Sequence, residues 1–175
     1  MGERVELQTA RLVLRPFSPS EEEAYYQIGS DPKIQPQIDG VTDRRRLPGS
    51  YALMTRGLQR DGYGLLAVTL RDSGQVIGLG GLIGCDFSPD VQALVAIREP
   101  WEGNGYGTEA TARIVRWAFD DLERSSVLAL VREGNGGSLR ILAKLSAIPR
   151  GESPSQPFSG PRMLMYQFIP CRTTA

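Results

Sequence analysis

The chain has 175 residues, 41% of them hydrophobic, and its twenty basic residues balance its twenty acidic ones. This length predicts one domain over residues 1–175 with a core that needs no disulfide or metal, and the zero net charge indicates no general attraction to nucleic acid or to an anionic membrane. The absence of histidine excludes Ser-His-Asp and Cys-His catalysis and nearly all zinc-hydrolase ligand sets.

The N-terminal third is predicted to contain a strand, a helix and an irregular connection. Leu12–Leu14 has the apolar character of a strand, and Ser18–Glu21 matches a capping box with proline at the first helical position, starting a helix that runs to about Gly29. Three prolines and two glycines between Ser30 and Ser50 predict an irregular connection. Connections of this kind often line a functional site.

The remaining elements alternate between strands and helices. The helix predicted at about 105–122 carries an apolar residue at every fourth position, which gives it one buried stripe: Ala110, Ile114, Ala118 and Leu122. The loop Ser88-Pro89-Asp90 is predicted to precede the fourth strand. In chain order we expect a helix at 51–59, strands at 65–70, 76–83 and 91–97, the helix at 105–122, a strand at 127–131, a helix at 135–145, and one or two final strands, the last at 162–169. This order indicates an α+β or mixed α/β layout.

Cysteine usage and hydropathy indicate the setting. Cys85 and Cys171 form no CxxC pair, and the sequence shows no signal-like segment. No apolar run approaches the ~20 residues of a membrane span. We therefore expect a cytoplasmic protein without a metal site.

A glycine-rich turn between the strand at 91–97 and the helix at 105–122 is the segment most suggestive of chemistry. Gly103, Gly105 and Gly107 leave room for backbone amides to converge, and the helix start adds a partial positive charge. This combination suits a diphosphate group. The alternative is that the glycines serve only to make the bend, which is common in strand-to-helix turns.

Two other nucleotide-binding patterns are not matched. Gly103-x-Gly105-x-Gly107 lacks the GxGxxG spacing of dinucleotide sites, and in the segment 78–84 Ile83 stands where the third glycine belongs. A nucleoside triphosphate loop would require Gly-Lys followed by Ser or Thr, which this turn lacks.

Three ordered segments resemble the GNAT superfamily of N-acetyltransferases, in particular the ribosomal-protein N-acetyltransferase branch. The first is Glu102-Gly103-Asn104-Gly105-Tyr106-Gly107-Thr108-Glu109-Ala110, similar to the family's [Arg/Gln]-x-x-Gly-x-[Gly/Ala] signature. The others are Thr9-Ala10-Arg11-Leu12-Val13-Leu14-Arg15-Pro16 and Asn135-x-x-Ser138-x-Arg140-x-x-x-Lys144. The resemblance covers about residues 8–170 and makes residues 1–175 one acyl-CoA N-acyltransferase domain.

The resemblance implies a mixed, mostly antiparallel central sheet of about six to seven strands, flanked by about four helices, whose fourth and fifth strands splay apart. Acetyl-CoA would be the cofactor, with its pantetheine arm between the splayed strands. The residues that would bind it are Val95 and Ile97 for the arm, Gly103, Asn104, Gly105, Gly107 and Thr108 for the diphosphate, and Asn135 and Ser138 for the other side of the arm.

The family's chemistry would be direct transfer of an acetyl or similar acyl group from acyl-CoA to a primary amine, in a ternary complex. The amine would belong to a protein N-terminus or a small molecule, and the resemblance implies a homodimer. Asp86 after the third strand is a candidate general base, and the alternative is that it caps the turn before Ser88-Pro89.

Three departures from the family pattern favour a second hypothesis. Glu102 replaces the usual Arg or Gln and places a carboxylate near the expected diphosphate. Leu142 stands where many members have a tyrosine acid, and Ser146-Ala147 replaces the usual Gly-Phe. The alternative function is therefore a catalytically degenerate acyl-CoA-binding or regulatory module.

Overall fold

The computed structural model describes residues 5–32, 34, 45, 57–156 and 160–170. Eight strands form one sheet in the order β1-β2-β3-β4-β5-β6-β8-β7. The strands are Leu7–Gln8 (β1), Leu12–Arg15 (β2), Leu65–Leu70 (β3), Val76–Cys85 (β4), Ser88–Ile97 (β5), Val127–Arg132 (β6), Ile148–Glu152 (β7) and Met163–Phe168 (β8). The helices are Glu22–Gly29 (α1), Tyr106–Asp120 (α2) and Gly136–Lys144 (α3), residues 57–61 are also helical, and 3-10 turns lie at Pro19–Glu21 and Glu99–Trp101.

The predicted sheet type is confirmed, with more strands than expected. Neighbouring strands are antiparallel everywhere except between β5 and β6, which run parallel. The strand beyond the predicted six to seven is β1, whereas β7 is the second of the one or two final strands that were expected. None of the helices within the described part of the chain is long and apolar enough to cross a membrane.

The predicted splaying of the fourth and fifth strands appears between β5 and β6. Their register covers two residue pairs, Val91 with Val127 and Gln92 with Leu128. Beyond these pairs β6 continues its ladder with β8 as far as Arg132, while β5 continues with β4 as far as Ile97. The two strands therefore diverge and leave the outer part of β5 without a neighbour on one side.

The prediction of a loop at Ser88–Asp90 is wrong, because these residues open β5. A tight turn at residues 86–87 lets Cys85 pair with Ser88, next to an irregularity in the β4 register. Proline has no backbone N–H to donate to a neighbouring strand. Pro89 is tolerated in β5 because pairing with β6 begins only at Val91, so no hydrogen bond to β6 is lost at this position.

Both faces of the sheet are covered by helices. Ala110, Ile114 and Ala118 of α2 are fully buried against one face, as predicted for the apolar stripe, whereas its fourth member, Leu122, lies beyond the end of α2 and is partly buried. A smaller core beneath α1 covers the other face. A side chain at Gly80 of β4 would lie 3.1 Å from Ile114, so this glycine allows α2 to pack close to the sheet. Most of the predicted irregular connection, and residues 51–56 of the predicted second helix, lie outside the described residues.

An ion pair fixes the first helical turn to β2. The Arg15 guanidinium donates two hydrogen bonds, of 2.7 and 2.8 Å, to the carboxylate of Glu21, which also accepts the Ser18 amide at 2.8 Å as a capping box requires. The Arg15 hydrogen bonds and the Ser18 contacts outweigh burial and lower the Glu21 pKa from 4.5 to about 2.

We expect Glu21→Gln to lower the free energy of unfolding at pH 7 by about 1–2 kcal/mol. Because the folded-state pKa is depressed, this contribution is complete above pH 4.5 and is lost as the pH falls from 4.5 towards 2. Urea denaturation of both proteins at pH 7 and pH 3 measures the difference, with Glu22→Gln as control. If wild type and Glu21→Gln differ by the same free energy of unfolding at pH 7 and at pH 3, the lowered pKa of Glu21 would be contradicted.

Candidate functional site

A cleft of about 650 Å³ opens where β5 and β6 diverge, between the glycine turn and α3. Its floor is the unpaired edge of β5, and its walls are the residues after β5, the first turn of α2 and one face of α3 along its length. The lining residues are Ile34, Val95, Ala96, Ile97, Trp101, Glu102, Gly103, Gly105, Gly107, Thr108, Asn135, Gly137, Ser138, Arg140, Ile141 and Lys144.

The glycine turn lines this cleft with backbone amides. Gly103 and Gly105 adopt left-handed conformations, with φ of +78° and +84°, which favour glycine over other residues. The first hydrogen bond of α2 runs from the Glu109 amide to the Gly105 carbonyl at 3.1 Å. The amides of residues 103–108 find no acceptor within the described residues. Such amides, together with the helix dipole, form an anion-binding surface.

Close packing allows α2 and α3 to meet at the cleft. A side chain at Gly107 would place its Cβ atom 2.9 Å from Cδ1 of Ile141 on α3. The start of α3 is fixed by its N-cap, because Asn135 Oδ1 accepts a hydrogen bond from the Ser138 amide at 3.1 Å. The first turn of α2 therefore packs against the middle of α3, and the N-terminal turns of both helices line the cleft.

A smaller cavity of about 70 Å³ continues the cleft towards the closed end of the strand divergence. The two spaces share Val95, Ser138 and Ile141 as lining residues. The inner cavity is lined by main chain and by mostly apolar side chains: Gln92, Ala93, Leu94, Thr111, Ala129, Leu130, Val131 and Leu142. Acidic and basic residues are absent from this described lining.

The charged side chains of the cleft lie at its outer end. Arg140 and Lys144 are four residues apart on α3 and share the face that lines the cleft. Glu102 lines the opposite side and is exposed. The Arg98 guanidinium lies 5.5 Å from the centre of the Trp101 ring, also at this end. The lining of the outer end therefore combines backbone amides that have no described acceptor with two cations, Arg140 and Lys144, and one carboxylate, which favours an anionic ligand.

The structure brings together most of the residues predicted to bind the cofactor. Eight of them line the cleft: Val95, Ile97, Gly103, Gly105, Gly107, Thr108, Asn135 and Ser138. Asn104 belongs to the same turn, but its side chain braces the loop by donating to the carbonyls of Trp101 and Glu102 at 3.2 and 3.1 Å.

Asp86 lies apart from these residues. It is exposed in the two-residue turn between β4 and β5, at the end of β5 opposite to the glycine turn, and it lines neither cavity. Its role as a general base stays a prediction.

Sequence reasoning assigned no role to Trp101, Arg140, Ile141 or Lys144 in this cleft. The spacing of Arg140 and Lys144 by one helical turn is a signal that would have placed both on one face of α3. Ile141 and Trp101 carried no such signal, because apolar residues at these positions suit a core equally well.

Comparison with known proteins places this geometry among acetyltransferases. The family model "Acetyltransferase (GNAT) domain" matches residues 11–147. The solved structure of an acetyltransferase from Agrobacterium tumefaciens str. C58 has 25% sequence identity and a TM-score of 0.79, over 97% of each chain.

Two structures of ribosomal-protein acetyltransferases share the fold at lower identity. The ribosomal-protein-S5-alanine acetyltransferase from Vibrio fischeri has 12% identity and a TM-score of 0.76, over 94% of this chain and 96% of that chain. The ribosomal L7/L12 α-N-protein acetyltransferase has 14% identity and a TM-score of 0.79, over 95% of this chain and 94% of that chain.

Proposed function

The chain belongs to the GNAT acetyltransferase family, and from this premise we propose that it moves an acetyl or similar acyl group from acyl-CoA to a primary amine. The observation that carries the proposal is the set of amides at the glycine turn that have no acceptor in the described part of the chain, beside a cleft between diverging strands. In this proposal residues 1–175 form one acyl-CoA N-acyltransferase domain.

The residues of the cleft fit coenzyme A. The amides of residues 103–108 suit its diphosphate, and the cleft beside them narrows into the inner cavity as a long thin arm requires. Val95 and Ile97 would meet the pantetheine arm on one side, and Asn135 and Ser138 on the other. A Cβ atom at position 107 would come within 2.9 Å of Ile141 Cδ1, which explains why glycine stands at this point of the turn.

When bound, acetyl-CoA supplies an acyl group that is already activated as a thioester, so the protein needs no covalent nucleophile of its own. The residues of this chain would bind the donor, hold its arm between β5 and β6, and exclude water from the inner cavity. The described lining of that cavity offers the neutral polar side chains of Gln92, Thr111 and Ser138. We propose that the amine loses its proton to water or to a carboxylate outside this lining, for which Asp86 remains the candidate.

The acceptor in this proposal is the primary amine of a protein N-terminus or of a small molecule. The N-terminal possibility draws on the three sequence segments similar to the ribosomal-protein branch and on the shared fold with two ribosomal-protein acetyltransferases. We propose a cytoplasmic protein that acts as a homodimer, without nucleic acid or membrane as partner.

A catalytically degenerate acyl-CoA-binding module is the second candidate. Leu142 favours it, because this residue is buried in the inner cavity where many family members have a tyrosine acid. The two functions differ in turnover: the transferase releases the CoA thiol when an amine is present, whereas the module binds acyl-CoA without release.

Thermal unfolding with acetyl-CoA, free CoA, succinyl-CoA and NAD tests the cofactor assignment. A ligand at 100 times its Kd stabilises the native state by about 2.7 kcal/mol, so CoA species should raise the melting temperature clearly, and NAD should not. If no CoA species raises the melting temperature, Gly103, Gly105 and Gly107 only allow the chain to turn between β5 and α2, and the cofactor assignment is wrong.

We expect Glu102→Gln to tighten acetyl-CoA binding about two- to fivefold, because the exposed carboxylate repels the phosphates across partly screened solvent. Calorimetric titration at low and at high salt measures the effect, which should shrink as salt increases. Glu123→Gln, beyond the far end of α2, is the control. An unchanged or weaker affinity in Glu102→Gln would contradict the proposed position of the diphosphate.

A further inference from the structure

A partly buried carboxylate ties the β1–β2 turn to the start of α2. Glu109, in the first turn of α2, accepts hydrogen bonds from Thr9 Oγ1 at 2.6 Å, from the Arg11 amide at 2.9 Å and from Arg11 Nε at 2.7 Å, and its Oε2 atom lies 2.7 Å from Arg11 Nη2. Burial raises the pKa of the Glu109 carboxyl, but these hydrogen bonds together outweigh it and hold the pKa below its ordinary value. The carboxylate is therefore ionised and held in one position.

The Arg11 guanidinium also reaches the glycine turn. Its Nη1 atom donates to the Asn104 carbonyl at 3.0 Å, and its central carbon lies 4.5 Å from the centre of the Tyr106 ring. Arg11 thus contacts the residues on both sides of Gly105, and a Cβ atom at Gly105 would lie 3.4 Å from Arg11 Nη2.

This contact sets the direction of one cleft amide. The Asn104 carbonyl and the Gly105 N–H belong to the same planar trans peptide, so they point to opposite sides. Because Arg11 holds the carbonyl from behind the turn, the Gly105 N–H is directed away from Arg11. Gly105 lines the cleft, and its amide is among those without a described acceptor.

Stability alone does not account for this arrangement. The Arg11 side chain is 48% exposed, and ion pairs at such positions contribute about 0–1 kcal/mol to folding. A glycine turn, by contrast, has more than one accessible backbone conformation. Ligand binding is tighter when contacts within the free protein already hold the turn in the conformation that binds the ligand.

We propose that Thr9, Arg11 and Glu109 are positioning residues that hold the Gly105 amide in the direction of the donor's diphosphate. The inference rests on the proposed function, since it assumes that coenzyme A occupies the cleft. It assigns a role to the Thr9-Ala10-Arg11 segment, which lies about a hundred residues from the turn in sequence.

The test compares Glu109→Gln and Arg11→Lys with the wild type. Gln at position 109 keeps the length of the side chain but removes its charge. Lys at position 11 keeps the charge but has a single ammonium group, which cannot contact both Glu109 and Asn104 as the guanidinium does. Calorimetry or NMR titration gives the Kd of CoA and of pantetheine, which lacks the diphosphate, and thermal unfolding gives stability. The matched control is Glu21→Gln, which breaks a similar Arg–Glu pair away from the turn.

We expect both variants to raise the Kd of CoA about tenfold while the Kd of pantetheine changes less than about twofold. Glu21→Gln should lower stability at least as much and leave both Kd values unchanged. An unchanged Kd of CoA, or an equal loss for CoA and pantetheine, would overturn the inference while the proposed function stands. If the wild type does not bind CoA, both are overturned.

Discussion

Thr108→Glu weakens acetyl-CoA binding at least about 30-fold and leaves the melting temperature unchanged or higher. Thr108 is the third residue of α2 and lines the cleft beside Gly107. A carboxylate about 5 Å from a phosphate charge opposes binding by about 3 kcal/mol at an effective dielectric constant of about 20, and solvent screening lowers this to about 2 kcal/mol. The same carboxylate stabilises the helix start by about 0.3–1 kcal/mol.

Because the substitution is expected to weaken acetyl-CoA binding while it stabilises the fold, a loss of affinity cannot be attributed to unfolding. Calorimetric titration gives the Kd, and Thr108→Gln, of the same length without the charge, should stay within about threefold of the wild type. Unchanged affinity in Thr108→Glu would show that the start of α2 does not face the ligand.

Gly105→Ala is expected to reduce acetyl-CoA affinity at least about tenfold, because φ at Gly105 is +84° and an alanine shifts the backbone that carries the amides. Its Cβ atom would also lie 3.4 Å from Arg11 Nη2, within the network that orients the turn. The strain lowers the free energy of unfolding by about 1–2 kcal/mol.

Gly74 provides a matched control for this prediction. It has a φ of +71° in the turn between β3 and β4, and a Cβ atom there would meet nothing within 4 Å. Gly74→Ala should therefore destabilise the protein by a similar amount and leave acetyl-CoA affinity unchanged. If both variants lose the same affinity, the loss comes from general destabilisation, and this result would contradict a specific role of Gly105 in binding acetyl-CoA.

Local patterns in the sequence predicted the elements that position the cleft. The four-residue spacing from Ala110 to Ala118 identified α2 and its buried face, and three glycines marked the turn before it. Both features depend on neighbours in sequence, so they can be recognised without the fold. The divergence of β5 and β6 was available only through the family resemblance, because strand pairing is not local.

The edge strands were harder to predict. β1 has two residues, too few for a periodic signal. β7 carries Pro149 and Gly151, which are unfavourable in strands, and it forms because β8 supplies a partner across an irregular register. In both cases the tertiary partner decides the structure.

The bracing of the turn by Arg11 and Glu109 also depends on the folded chain. The two residues are 98 positions apart, and an arginine and a glutamate taken separately suit any solvated surface. Asp86 shows the reverse case: a carboxylate near a strand end suggested chemistry, and the structure places it in an exposed turn outside both cavities.

The most direct test of acyl transfer is release of the CoA thiol from acetyl-CoA, followed over a panel of amines. The panel holds peptides with free alanine or serine N-termini, the same peptides with acetylated N-termini, and small primary amines. We expect thiol to appear with a free amine and not with its blocked counterpart, and mass spectrometry to show that the amine has gained the acetyl group. Stable acetyl-CoA binding without thiol release for any amine in the panel would contradict the transferase function and favour the binding module.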